Sequence, residues 1–149
     1  MAALPNHDTP ALDPATIQVD DELPTWTRLG DFHAWNRYAA VNYEFVPIHM
    51  DDEAGRNAGY PAAFGMGNIQ FSYLHNIIRD WMGEGPGRIV TLSCQFRGAF
   101  VRGNTVTAHA KVVDVDRSGP ETVVQLDLWT EDDTGARLAP GKATVAFPA

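Results

Sequence analysis

From Ile89 onward the sequence repeats one pattern four times, and that repetition limits what the chain can fold into. Ile89 to Ala99, Thr105 to Val115, Thr122 to Glu131 and Lys142 to Phe147 each alternate apolar with polar residues and are rich in β-formers. Val106, Ala108, Ala110 and Val112 share one side of the second stretch; Val124, Leu126 and Leu128 share one side of the third. Arg102-Gly103-Asn104, Arg117-Ser118-Gly119-Pro120 and Asp132-Asp133-Thr134-Gly135 supply turn chemistry between them. Short turns between period-two stretches predict an antiparallel sheet with one apolar face, and that face needs a cover. The cover lies just upstream. From Gly65 to Trp81, Met66, Ile69, Tyr73, Leu74, Ile77 and Trp81 fall on one helical face, with Asn68, Ser72, His75, Asn76 and Arg79 opposite. Gly83 and Gly85-Pro86-Gly87 end the helix. The expected class is α+β, an antiparallel sheet wrapped around one long helix.

The remaining segments are shorter. Residues 1–24 carry Pro5, Pro10, Pro14 and Pro24 among acids at Asp8, Asp13, Asp20, Asp21 and Glu22, which reads as a flexible or extended arm. Residues 25–149 read as a single domain. Thr25 to Leu29 is a short strand anchored by Trp26, and a helix starting near Asp31 runs to about Ala40, with Phe32, Trp35, Tyr38 and Ala39 at helical spacing. Pro47 keeps Tyr43 to His49 irregular. Asp51 is placed to cap a short helix towards Asn57, which Gly59, Tyr60 and Pro61 break.

Composition removes several function classes. The chain has 149 residues and a net charge of -8, with its Lys and Arg scattered. Phosphate backbones and anionic membrane surfaces both select concentrated basic patches, so neither nucleic acid nor membrane is expected as a partner. No apolar run approaches the roughly 20 residues of a membrane span. The N-terminal stretch lacks the basic start and apolar core of a secretion signal, and the cytoplasm is the expected compartment. The single cysteine, Cys94, alternates with Val90, Leu92 and Phe96 on the apolar side of a strand and reads as an inert thiol. Asp51, Asp52 and Glu53 beside His49 read as helix-capping acids, and no metal is expected.

Candidate chemistry is concentrated between Val41 and Trp81. Glu44 and His49 stand five positions apart around Pro47, and the turn Ala63-Phe64-Gly65-Met66-Gly67 opens the long helix. A carboxylate and an imidazole can grip one water and take its proton, while unpaired amides at a helix start favour developing negative charge on a carbonyl oxygen. His75, His109, His33 and His7 read as surface or subunit-contact residues. Arg56, Arg97 and Arg102 read as solvated charges with an option on anionic substrate groups.

Ahead of the glycine turn, Phe45-Val46-Pro47-Ile48-His49-Met50-Asp51 resembles the loop of the MaoC-like dehydratases, which include the R-specific enoyl-CoA hydratases. In that family the loop runs aspartate, any residue, asparagine, proline, aliphatic, histidine, any residue, aspartate. Here the same positions hold Glu44, Phe45, Val46, Pro47, Ile48, His49, Met50 and Asp51. Glutamate thus stands for aspartate and valine for asparagine. The family's His-Gly-Met at the helix start is Phe64-Gly65-Met66, and Phe96 to Asn104 and Lys142 to Phe147 resemble its later strand, turn and closing strand.

The resemblance implies a hot-dog fold from about Trp26 onward and water addition to a 2-enoyl thioester, giving the (R)-3-hydroxyacyl product, or the reverse. It implies catalytic roles for Glu44, His49 and Gly65, the last through the N–H of Gly65 or of a neighbour at the helix start. Tyr43, Pro47, Phe64, Met66 and Gln70 are the expected substrate-side residues, with Tyr43 open between wall and core and Gln70 between pocket lining and buried amide. No cofactor is expected beyond the CoA or acyl-carrier thioester of the substrate itself. The expected partner is a second hot-dog subunit, like or unlike. Two alternatives stay open: a non-catalytic or co-catalytic subunit of a heteromeric hydratase, and a hot-dog thioesterase. The second lacks a carboxylate on the long helix except Asp80 near its far end.

Overall fold

The computed structural model describes residues 9–148. Its five strands form one antiparallel sheet in the order β1-β3-β4-β5-β2. In sequence these are β1 (Trp26–Leu29), β2 (Arg88–Cys94), β3 (Thr105–Asp116), β4 (Glu121–Asp132) and β5 (Gly141–Pro148). Among the described residues three α-helices precede β2: α1 (Phe32–Asn42), α2 (Asp52–Asn57) and α3 (Gly67–Met82). The sheet curls around α3, the hot-dog arrangement expected from the sequence.

Alternation does what it promised. Val106, Ala108, Ala110 and Val112 of β3, Val124, Leu126 and Leu128 of β4, and Ala143, Val145 and Phe147 of β5 are all buried. They meet Ile69, Tyr73, Leu74, Ile77, Ile78 and Met82 of α3 in one core cluster. Each fully buried Leu or Ile there contributes about 1.5–3 kcal/mol relative to leaving it in water. The register shifts between Val112 and Asp114 and between Ile89 and Thr91, breaks in the ladder of a sheet that must wrap a helix. The β4–β5 turn is held by Asp132, whose carboxylate accepts from the amides of Thr134 and Ala136 at 2.9 and 3.1 Å, while Gly135 takes the left-handed backbone the turn needs (φ 82).

Two expectations change. The strand foreseen to Ala99 stops at Cys94, because residues 95–98 leave β5 and bond instead to the loop before it: Gln95 N–H to Pro140 O (2.9 Å), Arg97 N–H to Leu138 O (2.8 Å) and Gly98 N–H to Leu138 O (3.0 Å). The described part of the N-terminal arm, residues 9–24, is docked rather than loose. Ile17 and Leu23 are each 3% exposed and join the core. Leu23 N–H donates to Ala110 O and Val112 N–H to Asp21 O, so the arm pairs with β3 beyond the end of β1. The rest of the arm, residues 1–8, lies outside the described residues. Among the described residues no helix is long and apolar enough to cross a membrane.

Candidate active site

Helix α1 begins at Asp31, whose carboxylate accepts from Ala34 N–H at 2.8 Å, and it ends at Tyr43, a left-handed residue (φ 55, ψ 33). A tyrosine in this conformation is uncommon, since its Cβ crowds the following carbonyl. The reversal brings Glu44 N–H back onto Ala39 O (3.1 Å) and turns the chain out of the helix. Pro47 then starts a single 3-10 turn through His49, with Met50 N–H and Asp51 N–H both donating to Pro47 O at 2.9 Å. Asp51 caps α2 as expected, accepting from Glu53 N–H at 2.9 Å.

The segment before α3 is clasped from two sides. Phe64 N–H donates to Ile48 O (3.2 Å), and His49 Nδ1 lies 2.7 Å from Phe64 O. A carbonyl oxygen only accepts, so Nδ1 carries a proton in this contact, and the basic lone pair of the imidazole tautomer lies on Nε2. On the other side Gly65 N–H donates to Phe100 O (2.7 Å), and Arg102 N–H donates to Ala63 O (2.8 Å). Asp52 locks the corner: it accepts from Ala63 N–H at 3.1 Å and from Arg102 Nε at 2.7 Å. The hydrogen bond from the Arg102 guanidinium holds the Asp52 carboxyl below its ordinary range.

This geometry corrects the reading of Gly65. Its N–H is already engaged by Phe100 O and is not free for a substrate oxygen. A methyl there would sit 3.1 Å from the Trp35 indole nitrogen, so any larger residue needs the indole to give by a few tenths of an ångström. That indole nitrogen is buried with no hydrogen-bond partner among the described residues. Unbonded amides lie two and three positions on. Met66 gives α3 no side-chain cap, so the N–H groups of Gly67 and Asn68 open the helix without an acceptor among the described residues. Which amides at the helix start stay unbonded depends on a bridge to Phe100, 35 positions from Gly65, that no local pattern reveals.

Beside those amides lies a cleft of about 280 Å³ lined by Tyr60, Phe64, Gly65, Gly67, Gln70, Phe96, Arg97, Gly98 and Ala99. Phe64 forms its wall towards His49, which meets that ring edge-on at 5.3 Å. Gln70 both lines the cleft and is satisfied, its Oε1 accepting from Thr130 Oγ1 at 2.7 Å and its Nε2 donating to Gly98 O at 3.4 Å. Met66 is fully buried and serves the core rather than the cleft. Pro47 is exposed, and Tyr43 is 88% exposed, so Tyr43 is not core. The structure therefore joins His49 to the glycine turn, whereas the Glu44 carboxylate makes no hydrogen bond or ion pair with any described residue. Among the described residues no group of three or more His, Cys, Asp or Glu side chains is placed to hold a metal.

Residues 14–132 match the family described as the MaoC like domain. The chain belongs to the MaoC-like dehydratase family. This is a family of hydratases and dehydratases of acyl thioesters, and the fold agrees. The (R)-hydratase from A. caviae involved in PHA biosynthesis superposes with a TM-score of 0.80 at 19% identity, over 89% of this chain and 98% of that one. The R-hydratase PhaJ1 from Pseudomonas aeruginosa gives 0.77 at 15% identity, over 91% and 84%. The ChsH1-ChsH2 complex from Mycobacterium tuberculosis gives 0.76 at 17% identity, over 89% and 98%. At such identities these likenesses establish that the MaoC-like chain shares their hot-dog fold. No curated protein matches its sequence.

Proposed function

We propose that this MaoC-like chain hydrates 2-enoyl thioesters to (R)-3-hydroxyacyl thioesters, and catalyses the reverse dehydration, with Glu44 and His49 as the groups that handle the water. The observation that carries the reading is the hydrogen bond from His49 to Phe64 O. It fixes a buried imidazole in the tautomer whose free nitrogen can accept a proton. In hydration the water oxygen bonds to the β-carbon as the carbon–carbon double bond opens, one member of the pair takes a proton from that water, and the pair gives a proton to the α-carbon, so that both groups end as they began. The thioester oxygen, which gains negative charge on the way, is suited to the unpaired N–H groups of Gly67 and Asn68 at the α3 start. Purified protein tests this directly. Incubation with a 2-enoyl-CoA series should abolish the enone absorbance and give the R product, while saturated acyl-CoA should release no thiol, as it would with a thioesterase.

One observation supports a second reading, in which the chain shares or completes a site with an unlike hot-dog subunit. Tyr43, Phe45, Val46, Tyr60 and Phe96 are between 40% and 88% exposed around the loop and cleft, and the Glu44 carboxylate has no hydrogen-bond or ion-pair partner among the described residues. A covering subunit would bury that rim and fix the carboxylate. Inactivity of the isolated chain, restored by a second hot-dog protein, would select this reading over the homomeric one.

A further inference from the structure

The cleft at the start of α3 is built almost wholly of aromatic rings and bare main chain. Tyr60, Phe64 and Phe96 supply the rings, and Gly65, Gly67 and Gly98 line it without side chains. No lining residue carries a carboxylate. The long polar side chains beside it are engaged: Arg97 donates to the amide oxygen of Gln95, and Gln70 is satisfied by Thr130 and Gly98.

The rings are held in place. Tyr60 and Phe64 lie 4.3 Å apart between centres with their planes tilted by 44°, and His49 backs Phe64 edge-on. Phe96 rests on the first residue of α3, since a methyl on Gly67 would fall 2.8 Å from two of its ring carbons. The main chain pins Phe96 from both sides, through the bonds of Gln95 N–H to Pro140 O and Arg97 N–H to Leu138 O. Even so, Tyr60 stays 40% and Phe96 50% exposed. Aromatic surface left in water is stabilised when another ring stacks on it. A rigid ring gains that contact without the ordering cost that each rotatable bond of a flexible chain adds. The volume of about 280 Å³ lies at the lower end of ligand sites, which suits one ring better than a long chain.

We infer that the cleft selects acyl groups that end in an aromatic ring over straight chains of the same carbon count, with Tyr60, Phe64 and Phe96 as the stacking residues. The inference rests on the thioester reading above, yet binding of a saturated thioester involves no turnover, so selection and chemistry fail separately. Calorimetric titration of the full chain with phenylpentanoyl-CoA and undecanoyl-CoA, which carry equal numbers of acyl carbons, tests it. The phenyl compound should bind more tightly by about tenfold, although the straight chain is the more hydrophobic of the two. Phe96→Leu and Tyr60→Leu, both at exposed positions, should each cut that preference by about threefold. Phe96→Tyr keeps the ring and should keep the preference. Melting temperatures of all three variants are read in parallel. Equal or tighter binding of undecanoyl-CoA would overturn the assignment, and so would no binding of either thioester or an unchanged preference in the folded double leucine variant.

Discussion

His49 Nδ1 sits 2.7 Å from the carbonyl oxygen of Phe64, and this contact joins the proline loop to the turn that opens α3. It gives one side chain two duties, as a brace for Phe64 and as a base through its other nitrogen. The duties are separable by substitution. In His49→Asn the amide nitrogen retains a donor for Phe64 O while the basic nitrogen is gone. We expect enoyl-CoA turnover to fall by about a hundredfold or more, as for loss of a positioned acid–base group, with the melting temperature close to wild type. His49→Ala should lose both turnover and stability. Near-normal rates in His49→Asn would remove the imidazole from the mechanism.

Glu44 has the opposite character. Glu44 is half-buried but no described residue holds its carboxylate, so the near-isosteric Glu44→Gln should change folding free energy by no more than about 0.5 kcal/mol. Turnover, in contrast, should drop by about a hundredfold or more. Chemical denaturation and the enone assay on the same preparation check both halves. A loss of stability without a loss of rate would make Glu44 structural.

Asp52 and Arg102 supply a prediction in pH. The carboxyl of Asp52 is depressed from 3.8, chiefly by its hydrogen bond from Arg102. A group with a depressed folded value stabilises the protein above its unfolded value and loses that contribution as pH falls through the folded one. The pair should thus contribute in full at neutral pH and progressively less below 3.8. In Arg102→Gln the melting temperature at neutral pH should be lower, and the acid limb of its pH profile shallower. Parallel profiles for the two proteins would show that the pair adds nothing, an outcome known for solvent-exposed ion pairs.

The parts that could be read from the sequence are those set by periodicity. Alternation in β3, β4 and β5 and the apolar face of α3 are properties of neighbouring residues, and they hold almost to the residue. The capping acid Asp51 belongs to the same local class. What escaped depends on backbone bonds between distant segments. Ile17 and Leu23 are isolated apolar residues among prolines and acids, and they become core only because Asp20, Asp21 and Leu23 bond along β3 and carry the arm onto the sheet. Gly65 carries the same signature whether its amide faces a substrate or Phe100 O, because the acceptor is a main-chain atom without a side-chain signal.

Gln70 and Thr130 form a buried polar pair that ties α3 to β4, with Gln70 1% and Thr130 0% exposed. Removing one partner should cost more than removing both, since a lone buried hydroxyl or amide loses its bond and regains no water. Gln70→Leu alone is expected to destabilise by about 1–3 kcal/mol. Gln70→Leu with Thr130→Val should recover part of that loss. A double-mutant cycle by urea denaturation reads the coupling, and strict additivity would mean the hydrogen bond contributes nothing beyond packing.

Tyr43 ends α1 in a conformation where glycine is the usual residue, and its ring is 88% exposed. The left-handed backbone costs a non-glycine residue roughly 1–2 kcal/mol, part of which glycine returns as extra freedom in the unfolded chain. Little packing is lost when an exposed ring is removed, although Tyr43 meets Phe45 edge-on at 6.5 Å. Tyr43→Gly should therefore stabilise the isolated chain by up to about 1 kcal/mol. If Tyr43 is instead held for the covering subunit, the same variant should weaken subunit association while the isolated fold becomes more stable. Analytical ultracentrifugation beside thermal denaturation separates the two effects. A less stable isolated chain would show that the tyrosine ring, not its strained backbone, dominates at this position.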